Sequence, residues 1–256
     1  MFIRKTQSQV PRSHTGWWLP KGVRVYAIGD IHGRSDLLER QHALIEADFA
    51  ANRVPKVHLI YLGDYIDRGP NSHAVLEILA QILAQGTSDI VEITPLRGNH
   101  EELLLRFLGD DSVGPSWCEL GGLQTLRSYG IDVGKVLAES GYGGLSARFK
   151  EKLPAHHLRL LTRLKTFFAI GNYFFCHAGV RPGIPLELQN PRDLLWIREK
   201  FLDATEDFGK IIVHGHSPVD QPDFRNNRIN IDTCAYATGR LTCLVLEGNV
   251  CRIIST

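Results

Sequence analysis

No surplus of either charge marks this chain. Its 29 Lys and Arg residues are almost matched by 28 Asp and Glu, giving a formal net charge of +1. That balance offers no electrostatic argument for a nucleic-acid or membrane partner, and neither is expected. Long hydrophobic runs are also missing. The longest mostly apolar stretch, Phe167 to Cys176, is broken by Gly171-Asn172 and is too short to span a bilayer. Met1 to Pro20 carry early positive charge without an apolar h-region, so a signal peptide is not expected. The five cysteines are odd in number and include no C-x-x-C pair, which argues against a disulfide framework or a zinc ribbon. Buried thiols in a reducing, cytoplasmic setting are the expectation. No repeat or low-complexity tract is present.

What is present is an ordinary globular composition, 43% hydrophobic and 22% charged over 256 residues. That length suits one large α/β domain spanning 1–256. Residues 1–20 read as an irregular arm, with Trp17-Trp18 placed to pin it to the body. Val23 to Ile28 is a β-branched run ending in Gly29-Asp30 and reads as a buried strand. Residues 35–50 then show helical spacing after a Ser35 cap. The unit recurs as strand Val57–Leu62 with helix Ser72–Leu83, and as strand Ile90–Leu96 with a helix through Phe107. Three successive strand–loop–helix units imply adjacent parallel strands with helical crossovers. Residues 111–165 are glycine-rich, weakly patterned and then helical at about 155–165, and read as a helical insertion. Strand signals dominate afterwards: Phe167–Ile170 and Tyr173–Cys176 around a Gly171-Asn172 turn, then Ile211–Val213, Arg228–Ile231, Leu241–Leu246 and Val250–Ile254. One helix, about Asp193–Leu202, interrupts them.

The polar residues fall at strand ends. Asp30 and His32 follow the first strand, Asp64 the second, and Asn99 and His100 the third; His177 follows the strand ending at Cys176, and His214 and His216 the one ending at Val213. In open α/β sheets the loops at the carboxyl ends of strands converge on one crevice. Asp, Asn and His gathered there are metal-ligand types, and the N/O set suits two divalent cations roughly 3.5–4 Å apart that activate a water. A lone Gly-Asp after a strand is usually a turn and a lone His usually structural, but six candidate ligands among these residues, spread over five strand ends, weigh heavily against that reading.

Three segments sharpen this: Gly29-Asp30-Ile31-His32-Gly33, Gly63-Asp64-Tyr65-Ile66-Asp67-Arg68-Gly69 and Arg97-Gly98-Asn99-His100-Glu101. Twenty-nine residues separate Gly33 from Gly63 and 28 separate Gly69 from Gly98. With His177-Ala178-Gly179 and Gly215-His216-Ser217-Pro218, the set resembles the phosphoprotein phosphatase family, bacterial branch, within the calcineurin-like metallophosphoesterases. The resemblance covers most of residues 24–246. It implies two mixed β-sheets in a sandwich flanked by helices, four layers deep, with the metals at one end. It also implies that Asp30, His32 and Asp64 hold one ion, and that Asp64 bridges to a second held by Asn99, His177 and His216. His216 is preferred over His214 because it occupies the Gly-His-x-Pro position, although same-face geometry leaves the swap open. Manganese is the expected metal, with iron or zinc as alternatives. His100 would be the general acid, oriented by Asp67, while a water activated between the ions attacks phosphorus. Arg68 and Arg198 would grip the phosphate, a planar guanidinium being able to donate two parallel hydrogen bonds.

The implied activity is a phosphomonoesterase, with serine/threonine protein phosphatase as first choice and a phosphorylated protein or small phosphoester as substrate. The competing reading is a symmetrical diadenosine tetraphosphate hydrolase or other nucleotide phosphohydrolase. Enzymes of that first kind tend to lack the second Asp of the middle motif and to read Gly-Asn-His-Asp, whereas Asp67 and Glu101 are present here. Trp117…Gly121-Gly122-Leu123-Gln124-Thr125 also resembles bacterial protein phosphatases, with Leu120 where Asn is common and Cys234 where Gly is usual in Ile231-Asp232-Thr233-Cys234. A cysteine-dependent phosphatase is a third possibility raised by the Cys234–Arg240 spacing, but Thr233 replaces the expected His and the central glycine is missing. A decayed, non-catalytic fold would have lost ligands, and none is lost. No sequence feature fixes the oligomeric state.

Overall fold

A computed structural model of the chain describes residues 12–13, 17–86 and 88–256. Among the described residues, eleven strands form two mixed sheets. The first takes β1 (Arg12–Ser13), β2 (Val23–Ile28), β3 (Lys56–Tyr61), β4 (Val91–Pro95), β10 (Thr242–Glu247) and β11 (Val250–Ser255), in the order β1-β11-β10-β2-β3-β4. The second takes β5 (Phe167–Ile170), β6 (Tyr173–Cys176), β7 (Ile211–His214), β8 (Asp223–Phe224) and β9 (Arg228–Asn230), in the order β5-β6-β7-β9-β8. β2, β3 and β4 are parallel neighbours, as are β6, β7 and β9. The hairpin strands on their flanks run antiparallel.

Period-two alternation decides which layer each side chain enters. Along β2, Val25 and Ala27 point between the sheets, where they meet Ile60, Leu62, Tyr173, Phe175, Val213 and Ile229. Tyr26 and Ile28 point the other way, into a cluster with α1 (Ser35–Ala51), α2 (Ser72–Ala84) and α3 (Asn99–Gly109). The far face of the second sheet, through Phe174, Cys176 and Ile212, packs on Leu194, Ile197 and Phe201. The order of layers is therefore helices, sheet, sheet, helices. A strand buried on both faces need not alternate, which is why β6 reads as an unbroken apolar run and β2 as one interrupted only by the buried Arg24.

Segment 111–165 is helical nearly throughout. After a short 3₁₀ turn come α4 (Gly114–Trp117), a π turn at Cys118–Gly122, α5 (Leu123–Ser128), α6 (Val133–Lys152) and α7 (Ala155–Arg163). Gly121 (φ +115°) and Gly141 (φ +61°) break the helical path, so the hydrophobic periodicity restarts several times and the sequence looks weakly patterned.

Three expectations need correction. The single helix at Asp193–Leu202 is two, α8 (Pro191–Trp196) and α9 (Glu199–Leu202), because Ile197 is extended and Arg198 leaves helical geometry. Ser35 is the first helical residue of α1, and Arg34 at the cap position makes no side-chain cap hydrogen bond. Of the tryptophan pair, Trp17 is buried near Tyr173, whereas Trp18 is exposed. The remainder of the expected arm, residues 1–11 and 14–16, lies outside the described residues.

Candidate metal centre and active site

Every strand-end residue singled out above lies at the carboxyl end of a parallel strand or in the loop after it, and the two sheets deliver them to one place. Asp64, after β3, is the hub. Its carboxylate lies 3.5 Å from His32 Nε2, 3.4 Å from His177 Nε2 and 3.7 Å from His100 Nε2. Two groups of potential ligands overlap at it: His32, Asp64 and His100, and Asp64, His177 and His216. Asn99 Oδ1 completes the second, 2.8 Å from His177 Nε2 and 2.9 Å from His216 Nδ1. Asp30 sits against the Gly215–His216 backbone and accepts the His216 amide at 3.1 Å. A Cβ at Gly215 would collide with the Asp30 carboxylate, and one at Gly98 with the carboxylate and amide of Asp64, so both glycines are required for close approach. His214 points elsewhere: its Nδ1 is 3.0 Å from the Gly215 carbonyl and its ring packs 4.9 Å from Phe201. His216, not His214, therefore shares space with Asp64 and His177.

The backbone is forced to make this arrangement. Among the described residues, the non-glycine positions with positive φ are His32, Asp64, Asp67, Arg68, His216 and Cys234, and all lie in these loops. Such conformations cost of order 1–3 kcal/mol each and persist only where the surroundings impose them. Glu101 supplies much of that imposition. Buried on α3, its carboxylate accepts the amides of Asp64 and Gly98 at 2.9 Å and of Tyr65 at 2.8 Å, tying the second loop to the third. Burial and the nearby Asp64 charge push its carboxyl up to about 7.

Electrostatically the cluster calls for cations. Asp30, Asp64 and Asp232 are all buried there. Burial, Asp232 and Asp64 drive the Asp30 carboxyl well above its ordinary range, and burial followed by Asp64 raises Asp232 to about 6. Burial works the same way on Asp64, but the surrounding imidazoles, His177 first, outweigh it and hold that carboxyl low. Burial pushes His32 down to about 3 and His216 to about 2, and lowers His177, so these imidazoles keep their lone pairs. Asp30 Oδ1 and His216 Nε2 are buried with no hydrogen-bond partner among the described residues. Buried carboxylates, neutral imidazoles, an amide oxygen and unpaired ligand atoms fit a pair of divalent ions.

Beside the hub stands a proton-handling pair. His100 Nδ1 is 2.7 Å from Asp67 Oδ2. Asp67 is itself fixed by Trp117 Nε1, which donates to Oδ2 at 2.8 Å, and by the Thr125 hydroxyl, which donates to Oδ1 at 2.5 Å. Burial would lower the His100 imidazolium, but Asp64 and Asp67 together raise it to about 9. Arg68 brings Nη2 within 3.3 Å of His100 Nε2 and lays its guanidinium over the Tyr236 ring, 5.1 Å from the centroid. Its amide donates to the Gly121 carbonyl at 3.3 Å, so the kink in the π turn supports it from below. Arg198 is exposed, yet its charge depresses His177 and His216. The Cys234–Arg240 pairing forms no thiolate cradle, because the Arg240 guanidinium donates to the Asp220 carbonyl instead.

Reading the sequence by strand ends missed Trp117, Thr125, Asp232 and Tyr236, and it used Glu101 only as a branch marker. The Trp117–Thr125 segment carried a signal as a resemblance, but 50 or more residues separate it from Asp67, and no spacing rule joins them. Tyr236 had no signal.

The fold and the centre define a metal-dependent phosphoester hydrolase. The calcineurin-like phosphoesterase profile matches residues 23–254, and the chain belongs to that family. It is similar to the asymmetrical bis(5'-nucleosyl)-tetraphosphatase PrpE of Bacillus cereus (strain AH820), with 29% identity over 241 residues covering 85% of this chain and 88% of that one. In fold it resembles a protein provisionally assigned as a diadenosine tetraphosphatase (TM-score 0.59, 22% identity, 91% of this chain and 92% of that one). It also resembles the cold-active protein-tyrosine phosphatase of a psychrophilic Shewanella species (TM-score 0.58, 18% identity, 92% and 80%).

Proposed function

We propose that this chain is a phosphomonoesterase whose preferred substrates are phosphoserine and phosphothreonine side chains. The observation that carries this reading is the His100–Asp67 pair, braced by Trp117 and Thr125. A serine or threonine alkoxide is a poor leaving group and needs a proton as the P–O bond breaks, whereas a nucleotide leaving group needs little help. An imidazole held by a carboxylate on one nitrogen, with the other facing Asp64 and Arg68, can supply that proton.

In this reading Asp30, His32 and Asp64 hold one divalent cation, and Asp64, Asn99, His177 and His216 the other, with Mn²⁺ preferred. Bound there, the pair supplies charge neutralisation for the phosphate oxygens and a lowered pKa for water. Arg68, stiffened by stacking on Tyr236, orients the phosphoryl oxygens. Arg198, at the rim, adds a second guanidinium. His100 donates its Nε2 proton to the departing oxygen, and Asp67 stabilises the charge and tautomer of the ring throughout.

A second reading is favoured by one observation, the similarity to PrpE along 85% of the chain. It makes the substrate a bis(5'-nucleosyl) tetraphosphate. The two are separated by offering one Mn²⁺-loaded preparation a phosphoserine peptide, a phosphotyrosine peptide and diadenosine tetraphosphate, and comparing kcat/KM. The phosphoserine peptide is expected to lead; a clear lead for the dinucleotide replaces the first reading with the second.

A further inference from the structure

A separate group of metal-ligand side chains lies on the helical layer. α2 carries His73 and Glu77 one turn apart on the same face, and α7 brings His156 and His157 against them. Glu77 Oε2 is 2.8 Å from His156 Nε2 and 3.1 Å from His157 Nε2, and the three potential ligand atoms lie within 4.8 Å of one another. Each anchor is oriented from behind. His157, completely buried, has Nδ1 2.8 Å from the Tyr129 hydroxyl, and Glu77 Oε1 accepts from Gln81 Nε2 at 2.9 Å. The His73 ring packs 5.1 Å from that of His157. Glu77 and His156 remain partly open to solvent, leaving a route in.

We propose that Glu77, His156 and His157 form a mononuclear transition-metal site of the Zn²⁺ type, distinct from the phosphoesterase centre. Two imidazoles and one carboxylate suit a borderline cation with a water in the fourth position, and they exclude Ca²⁺ and Mg²⁺, which demand more oxygen ligands. Braced outer atoms on both the His and the Glu are what a ligand set uses to fix tautomer and direction. To hold the ion, both imidazoles would present a bare Nε2 with the proton on Nδ1, and the Nδ1 of His157 would donate to the Tyr129 oxygen. The ion would clamp α7 onto α2, the helix whose first residue, Ser72, accepts the Asp67 amide at 3.0 Å.

The test separates this site from the active centre. Full-length Asp64→Asn/His177→Asn protein, with the phosphoesterase centre disabled, is equilibrated with Zn²⁺, dialysed and analysed for metal and melting temperature. One ion per chain is expected to remain, Zn²⁺ is expected to raise the melting temperature, and Co²⁺ is expected to give the intense visible bands of a four-coordinate site. Adding His156→Ala, or independently Glu77→Gln, should abolish all three responses while circular dichroism stays unchanged. In the wild-type background either substitution should remove one ion and leave kcat/KM intact. Folded Asp64→Asn/His177→Asn protein that retains no zinc, or zinc that survives both His156→Ala and Glu77→Gln, overturns the proposal.

Discussion

His100 is the residue on which the proposed chemistry turns, because one ring nitrogen belongs to Asp67 and the other faces the hub. Replacing it with Asn keeps a polar group of similar reach but removes the proton. Turnover of an alkyl phosphate by His100→Asn should fall by roughly two to four orders of magnitude with metal content unchanged. An activated aryl phosphate, whose leaving group departs unprotonated, should lose less. Equal losses on both substrates, or none on either, would show that the ring transfers no proton to the leaving group.

At the scale of elements, the helical insertion takes part in the active site although it supplies none of the ligands proposed for the phosphoesterase centre. Trp117 at the end of α4 and Thr125 on α5 hold opposite oxygens of Asp67, and the Gly121 kink between them backs Arg68. Trp117→Phe keeps the packing against Phe107 and Phe149 but removes the donor. Its kcat should drop about tenfold with both ions retained, since a hydrogen bond to a buried charge and the alignment of the imidazole are lost together. An unchanged kcat per folded molecule would show that Asp67 is held well enough by Thr125 and Ser72.

The contrast between the two kinds of element explains what could be read from sequence. The strand–loop–helix units announce themselves because β2, β3 and β4 are short runs rich in β-branched and apolar residues, followed within a few positions by Gly-Asp or Gly-Asn pairs, and those stops are the site. The insertion did not, because Gly121 and Gly141 reset its periodicity and its contacts with Asp67 span fifty residues or more. The break between α8 and α9 was equally silent: Ile197-Arg198 contains no glycine or proline, and the helix stops because Ile197 turns inward to the outer core.

For the molecule as a whole, acid response should expose the buried histidines. His42, on α1, contacts the Tyr61 hydroxyl at 2.8 Å, and burial lowers it to about 4 from an ordinary 6.5. Its folded form resists protonation that the unfolded chain accepts, so its contribution to stability declines as pH falls from about 6.5 to about 4. Comparing chelated wild type with chelated His42→Gln by urea unfolding, the stability difference should shift against wild type by up to about 1.4 kcal/mol per pH unit across that window. A pH-independent difference would mean that His42 is already charged in the fold. The same comparison is insensitive to Asp30, Glu101 and Asp232, whose raised carboxyls act identically in both proteins.

The clustering of left-handed backbone at His32, Asp64, Asp67, Arg68 and His216 has a further bearing on how the protein comes into being. An isolated peptide carrying any one of these loops would prefer other shapes, so it should not capture ions in solution with useful strength. Competence to bind must be conferred late, by the docked sandwich pressing each turn into place. Newly made chain would thus pass through most of its assembly without a receptive centre, and metal would enter a nearly finished protein rather than guide its construction.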